Sequence, residues 1–184
     1  VIVESPTFIG ALWFLRSLGV NVIGVPLDAD GIDLDALRAT VCRLRNEGRH
    51  VSLVYTMPTV HNPAGLDASS SRRHDLANLA DELDLVLLED DAYGDLIFEG
   101  GRPLSLYQAV GSQRVIKLGT FSKLVAGGMR LGWAIAAPND VERMSALKAD
   151  NATSPYSAWV TTEYLQAGGL AERVTMLRHL YRQR

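Results

Sequence analysis

Two rhythms of apolar and polar positions exchange places along the chain almost without a break. Short continuous apolar runs fall at Val1–Glu4, Val22–Val25, Val51–Tyr55, Leu85–Leu88, Val115–Leu118 and Gly132–Ala136. Their length and continuity suit strands covered on both faces. Between them the spacing becomes helical. One helix is expected from about Pro6 to Leu18, ending at Gly19, and a second from Asp33 to about Asn46, stopping at Gly48. Acids in the first turn of the second helix, Asp33 and Asp35, suit the positive end of its dipole. A third covers Ser69–Leu83, where Leu76, Leu79, Ala80 and Leu83 recur at three and four residues. From Asp140 onward the pattern is helical, with breaks at Ser154-Pro155 and Gly168-Gly169. Such alternation predicts an α/β fold, a three-layer sandwich around a mostly parallel sheet. The connection from Val115–Leu118 to Gly132–Ala136 is too short for a helical crossover, which leaves room for an antiparallel pair there.

Composition narrows the class. Of 184 residues, 47% are hydrophobic and 21% charged, the balance of a globular chain rather than a disordered one. A formal charge of −3 carries no basic footprint, so nucleic acid is not expected as a partner of this segment. No apolar run approaches the roughly 20 residues that cross a bilayer, so no membrane span is expected. The single cysteine, Cys42, excludes an internal disulfide framework and fits a reducing, cytoplasmic compartment. Its place in the helical apolar pattern predicts a buried thiol. The chain opens inside a strand-like run and closes in an arginine-rich helical stretch, Arg178 to Arg184. Both ends read as those of a piece of a longer protein.

In an open α/β sheet, ligands sit outside the carboxyl ends of the strands, and three polar clusters fall there. His61-Asn62-Pro63-Ala64-Gly65 follows the run ending at Tyr55. Asp90-Asp91-Ala92-Tyr93 follows Leu88. Thr120-Phe121-Ser122-Lys123, with Arg130, follows Leu118. Each has an ordinary explanation on its own: a turn former, a helix cap, a surface lysine. Together they bring an amine, a guanidinium with small hydroxyls, a carboxylate and a phenol to one edge of one sheet.

Asn-Pro-Ala-Gly (62–65), Asp-Asp-Ala-Tyr (90–93) and Thr-Phe-Ser-Lys (120–123), with Arg130 and Leu131-Gly132-Trp133, resemble the class I/II aminotransferases of the pyridoxal 5'-phosphate (PLP) dependent fold type I. Glu4-Ser5-Pro6-Thr7-Phe8 with Gly10, Leu27-Asp28 with Gly31-Ile32, and Arg72-Arg73 extend the resemblance over essentially the whole chain. The branch it resembles most includes aminoadipate- and kynurenine-type aminotransferases and the aminotransferase-like domains of some transcription regulators.

The resemblance implies a task for each residue. Lys123 would hold PLP as a Schiff base and shuttle the substrate's Cα proton. Asp90 would pair with the pyridine nitrogen and keep it protonated; Asp91 is its rival, and because side chains alternate along a strand end only one of the two should face the ring. Asn62 and Tyr93 would hydrogen-bond the ring's phenolic oxygen. Thr120, Ser122 and Arg130 would hold the phosphate, and Gly127-Gly128 would allow a tight turn before Arg130. His61 is open between a turn residue and one facing substrate. Relatives often carry Pro at the position of Gly127 and Thr at that of Leu124. On this reading 1–150 is the central part of the PLP-binding large domain, and 151–184 are helices leading towards a C-terminal small domain. The phosphate-cupping loop, the arginine for the substrate carboxylate and a partner subunit's tyrosine would come from outside these residues, and a homodimer is implied. Substrates would be an amino acid and a 2-oxo acid. Two alternatives stay open: another fold-type I activity (lyase, decarboxylase or synthase), and a PLP-binding effector domain of a transcriptional regulator.

Overall fold

The computed structural model describes residues 1–110, 113–148 and 153–183. Among them the chain forms a seven-stranded sheet in the order β3-β2-β1-β4-β5-β6-β7. The strands are β1 (Ile2–Ser5), β2 (Ile23–Asp28), β3 (Gly31–Ile32), β4 (Leu53–Thr56), β5 (Val86–Asp90), β6 (Val115–Thr120) and β7 (Gly132–Ile135). The five central strands run parallel, and the two edge pairings, β3 on β2 and β7 on β6, are antiparallel. Between β6 and β7 the chain has room only for a three-residue 3-10 turn, Gly127–Met129, so it folds straight back. The two-residue strand β3 escapes the periodicity because it is too short to show one.

The helices are α1 (Ile9–Ser17), α2 (Leu34–Asn46), α3 (Ser70–Glu82), α4 (Leu106–Val110), α5 (Pro138–Leu147), α6 (Pro155–Gln166) and α7 (Gly169–Arg182). Their starts are chemical. Asp33 Oδ1 accepts from Ala36 N at 2.9 Å, Ser69 Oγ from Arg72 N at 3.2 Å, and Ser154 Oγ from Ser157 N at 3.2 Å. Gly48 ends the α2 segment at φ +74°, a left-handed turn that a Cβ would disfavour. Helix α1 begins three residues later than its pattern suggests, because residues 6–8 first carry the chain off the end of β1.

Strand periodicity sorts the core into two layers. Ile2, Val54, Leu87 and Val115 face one way, against Leu37, Val41 and Leu44 of α2, Leu76, Leu79 and Ala80 of α3, and Leu106 of α4. Val3, Tyr55 and Leu88 face the other way, against Ala11, Leu12 and Leu15 of α1. Burying each of the larger aliphatic side chains contributes roughly 1.5–3 kcal/mol. Helix α7 adds a smaller cluster, Leu177 with Leu96 and Leu124.

One expectation is corrected here. Cys42 is exposed, not buried. Leu37, Val41 and Leu44 take the inner face of α2, and a step of about 100° from Val41 turns the next residue to solvent. The division drawn at 150/151 falls within residues 149–152, outside the described residues. No described helix is long and apolar enough to cross a membrane.

Candidate active site

Strands β1 and β4 are neighbours from which the chain departs in opposite directions across the sheet, the crevice where open α/β folds bind ligands. A cavity of about 490 Å³ lies over the carboxyl ends of β1, β4, β5 and β6. Phe8 enters it after β1, Met57 and Asn62 after β4, and Asp90 and Tyr93 from the end of β5. Thr120, Ser122 and Lys123 enter at the end of β6, and Arg130 just before β7. The seven residues singled out from the sequence thus meet in one cleft.

Sheet parity separates the two adjacent acids. Leu88 and Asp90 lie on the α1 face with Tyr55, whereas Leu87, Glu89 and Asp91 point to the other face. The Tyr55 hydroxyl donates to Asp90 Oδ2 at 2.6 Å, the one hydrogen bond to this carboxylate among the described residues. Burial pushes the Asp90 carboxyl above its ordinary range, and the Tyr55 hydrogen bond pulls it back. Burial, then the Asp90 charge, drives the Tyr55 phenol far up, so Tyr55 keeps its proton and acts as the donor. Asp91 lies on the far side. Its Oδ2 is 2.7 Å from both Lys117 Nζ and Arg102 Nη2, and its Oδ1 accepts from Gly94 N at 3.1 Å. Burial opposes its charge, but the hydrogen bonds and charges of Lys117 and Arg102 outweigh it and hold the carboxyl below its ordinary range.

Lys123 stands on the turn that leaves β6, where Phe121 O accepts from Val125 N at 2.8 Å. Its Nζ lies 5.7 Å from the centre of the Tyr93 ring. Neither Lys123 nor Arg130 has an ion-pair partner among the described residues. Thr120 Oγ1 donates to Leu131 O at 3.3 Å and accepts from Ser122 N at 3.1 Å, tying the two ends of the loop that holds Lys123. Gly127 and Gly128 form the expected tight turn without left-handed backbone. The left-handed residue is Arg130, at φ 52°, a conformation uncommon outside glycine that turns this side chain into the cleft.

The sequence did not disclose how the Asn62 loop is held. Arg73, only 1% exposed, donates through Nε to Ala68 O at 3.1 Å and through Nη2 to Pro58 O at 2.6 Å and Thr59 Oγ1 at 3.1 Å. It clamps both ends of the segment that carries Asn62. The signal available was an arginine three residues before Leu76, on the apolar face of α3. Glu4, equally buried, accepts from Thr56 Oγ1 at 2.5 Å and Met57 N at 2.9 Å. His61 is buried behind the cleft rather than lining it. Its Nδ1 accepts from Ala64 N at 3.2 Å, and its Nε2 sits 3.0 Å from Glu4 Oε2, close but off the hydrogen-bonding direction.

Fold and site together define an open α/β protein with an amine, a carboxylate and a guanidinium converging at the topological switch point. Residues 1–184 match the family "Aminotransferase class I and II", and the chain belongs to that family. It is 34% identical over 188 residues to aromatic-amino-acid aminotransferase 1 of Thermococcus litoralis, covering 100% of this chain and 45% of the relative. It is 32% identical over 186 residues to the HTH-type transcriptional regulator YisV of Bacillus subtilis, covering 100% of this chain and 37% of that protein. Among solved structures, the α-aminoadipate aminotransferase LysN of Thermus thermophilus, complexed with N-(5'-phosphopyridoxyl)-L-leucine, superposes with a TM-score of 0.89 at 32% identity. That match covers 100% of this chain and 47% of the solved one. The chain therefore spans less than half the length of each of these relatives.

Proposed function

We propose that the cleft binds PLP and that the protein transfers amino groups between amino acids and 2-oxo acids. The observation that carries this reading is the convergence of Lys123, Asp90 and Arg130 on a single cavity of about 490 Å³. The donor set suits the group. A carboxylate with one oxygen engaged by Tyr55 keeps the other for a ring N–H, and a guanidinium with no ion-pair partner among the described residues, beside two hydroxyls, suits a phosphate. The phosphopyridoxyl ligand of the Thermus thermophilus relative supports the same assignment.

When bound, the cofactor supplies an aldehyde that takes up the substrate's amino nitrogen and a ring that accepts the electron pair left at Cα. The remaining work belongs to the chain. Lys123 anchors the cofactor through Nζ and, once released, serves as the base that takes the proton from Cα. Asp90 holds a proton on the ring nitrogen by staying anionic beside it. Asn62 and Tyr93 orient the ring through its phenolic oxygen. Thr120, Ser122 and Arg130 hold the phosphate and so fix the distance from the ring to Nζ. Exposed aromatic side chains such as Trp13 and Trp159 support assembly as a homodimer, and the lone thiol supports a cytoplasmic setting.

Relatives named as aminotransferases support transamination over a lyase or an effector domain. Wild-type protein with PLP should show a visible band that borohydride abolishes, with the added mass on the peptide containing Lys123; Lys123→Ala should show neither. An amino acid added alone should release one equivalent of 2-oxo acid per site and then stop. Continuous turnover without an added oxo acid would instead indicate a lyase.

A further inference from the structure

The Asp90 carboxylate does not stand alone beneath the cleft. Tyr55, 3% exposed and itself outside the cavity lining, places its hydroxyl 2.6 Å from Oδ2 from the neighbouring strand. We propose that Tyr55 is a positioning residue for the cofactor's ring nitrogen, fixing the Asp90 carboxylate in one rotamer and stabilising it as an anion. This inference rests on the PLP reading of the cleft and assigns a role to a side chain that would never touch the cofactor.

The argument is geometric first. The pairing Tyr55↔Leu88 between β4 and β5 sets Tyr55 and Asp90 on one face, two residues out of register. The phenol therefore reaches diagonally to the carboxylate, a distance within the span of an aromatic side chain. With one bond already on Oδ2, Oδ1 is the oxygen left without a donor and suited to meet a ring N–H. Electrostatics follow. Asp90 is half-buried, and the charged groups around it do not help: Glu4 on β1 and the adjacent Asp91 are both acidic and oppose its negative charge. Lys123 lies across the cleft, against Tyr93, with no ion pair to Asp90. The Tyr55 hydroxyl is thus the group through which the protein offsets the desolvation of this carboxylate.

Tyr55→Phe removes one oxygen and keeps the ring that packs against Val3 and Leu88. The test loads the intact protein with nitrogen-15-labelled PLP and reads two quantities. The first is the nitrogen resonance, which reports whether the ring nitrogen carries a proton. The second is the dissociation constant for PLP, from fluorescence titration of the apoprotein. In Tyr55→Phe the resonance should move towards neutral pyridine and the cofactor should bind roughly tenfold to hundredfold more weakly, the scale of a hydrogen bond to a charged group. A purely packing role for the ring would move neither. If Tyr55→Phe does not fold, as judged by circular dichroism, a fluorotyrosine at position 55 gives the second arm. It keeps the shape, donates more strongly, and should shift the resonance the other way. A folded variant with unchanged resonance and unchanged affinity overturns the inference. Wild-type protein that takes up no PLP overturns the functional reading itself, a result distinguishable because it appears before any substitution is made.

Discussion

Lys117 Nζ lies 2.7 Å from Asp91 Oδ2, and the two side chains are exposed by only 7% and 2%. This buried pair on the α3 and α4 side of the sheet is what takes Asp91 away from the cleft. The register Glu89↔Lys117 places the amine beside the acidic end of β5, and Arg102 closes the same carboxylate from the loop beyond.

Breaking that pair should be costly. Lys117→Met leaves the half-exposed Arg102 guanidinium as the cation in contact with Asp91, and removing one partner of a buried pair typically costs about 3–5 kcal/mol. Urea denaturation should show a loss near the lower end of that range, because Arg102 remains. The double variant Lys117→Met, Asp91→Asn should recover much of the stability. No recovery would mean that packing, not charge, holds this site.

Arg73 should act through the Asn62 loop. Arg73→Met leaves the Ala68 carbonyl unpaired, at a cost of about 1–3 kcal/mol for such a buried group, while Pro58 O keeps the bond from Ala68 N and loses the one from the guanidinium. The expected result is a lowered denaturation midpoint together with faster hydrogen exchange at the Val60 and His61 amides. Exchange unchanged at those amides would show that the loop is held without the guanidinium.

Arg130 is tested by shortening the ligand. Arg130→Ala should weaken PLP binding by roughly tenfold to hundredfold, the value of a charge-assisted contact. Pyridoxal, which lacks the phosphate, should bind wild type and variant alike. An equal loss for both ligands would place the effect on the loop rather than on the phosphate.

Glu89 predicts a pH dependence with a definite sign. It is fully buried and accepts from Leu106 N at 2.9 Å and Tyr107 N at 3.1 Å, capping α4. Burial lifts its carboxyl above the ordinary 4.5, against the pull of those two hydrogen bonds. The folded chain therefore holds this proton more tightly than the unfolded one. The stability it contributes is complete below the unfolded value and is lost as pH rises from 4.5 through the folded value. Urea midpoints of wild type and Glu89→Gln across this window should diverge, with the wild type declining relative to the variant as pH rises. A parallel pair of curves would show that Glu89 titrates alike in both states.

Much of this fold can be read from one dimension, because the signals are local. Apolar runs bounded by turn residues locate six of the seven strands, and helix starts are written in Asp33, Ser69 and Ser154, each of which caps with its own side chain. The antiparallel return of β7 follows from chain length alone. Motif spacing likewise places Asn62, Tyr93, Lys123 and Arg130 at strand ends, and parallel strands with helical crossovers bring their carboxyl ends to the same edge.

What sequence could not supply is which residues meet across strands. Cys42 sits in an apolar pattern yet faces water, since a helix turns about 100° per residue and Val41 already fills the inner face. Motif position favours Asp90 over Asp91, but two adjacent acids carry no local sign of their partners. Those are set when β5 settles beside β4 and β6, so that Tyr55 engages one acid and Lys117 the other. Tyr55, Glu4 and Arg73 read as an apolar-run aromatic, a strand-end acid and a helix cation. The hydrogen bonds that give them a purpose run to residues 35, 52 and 15 positions away. Local chemistry determined the elements and the reactive groups; register and burial in three dimensions decided which groups are charged, paired and aimed at the cleft.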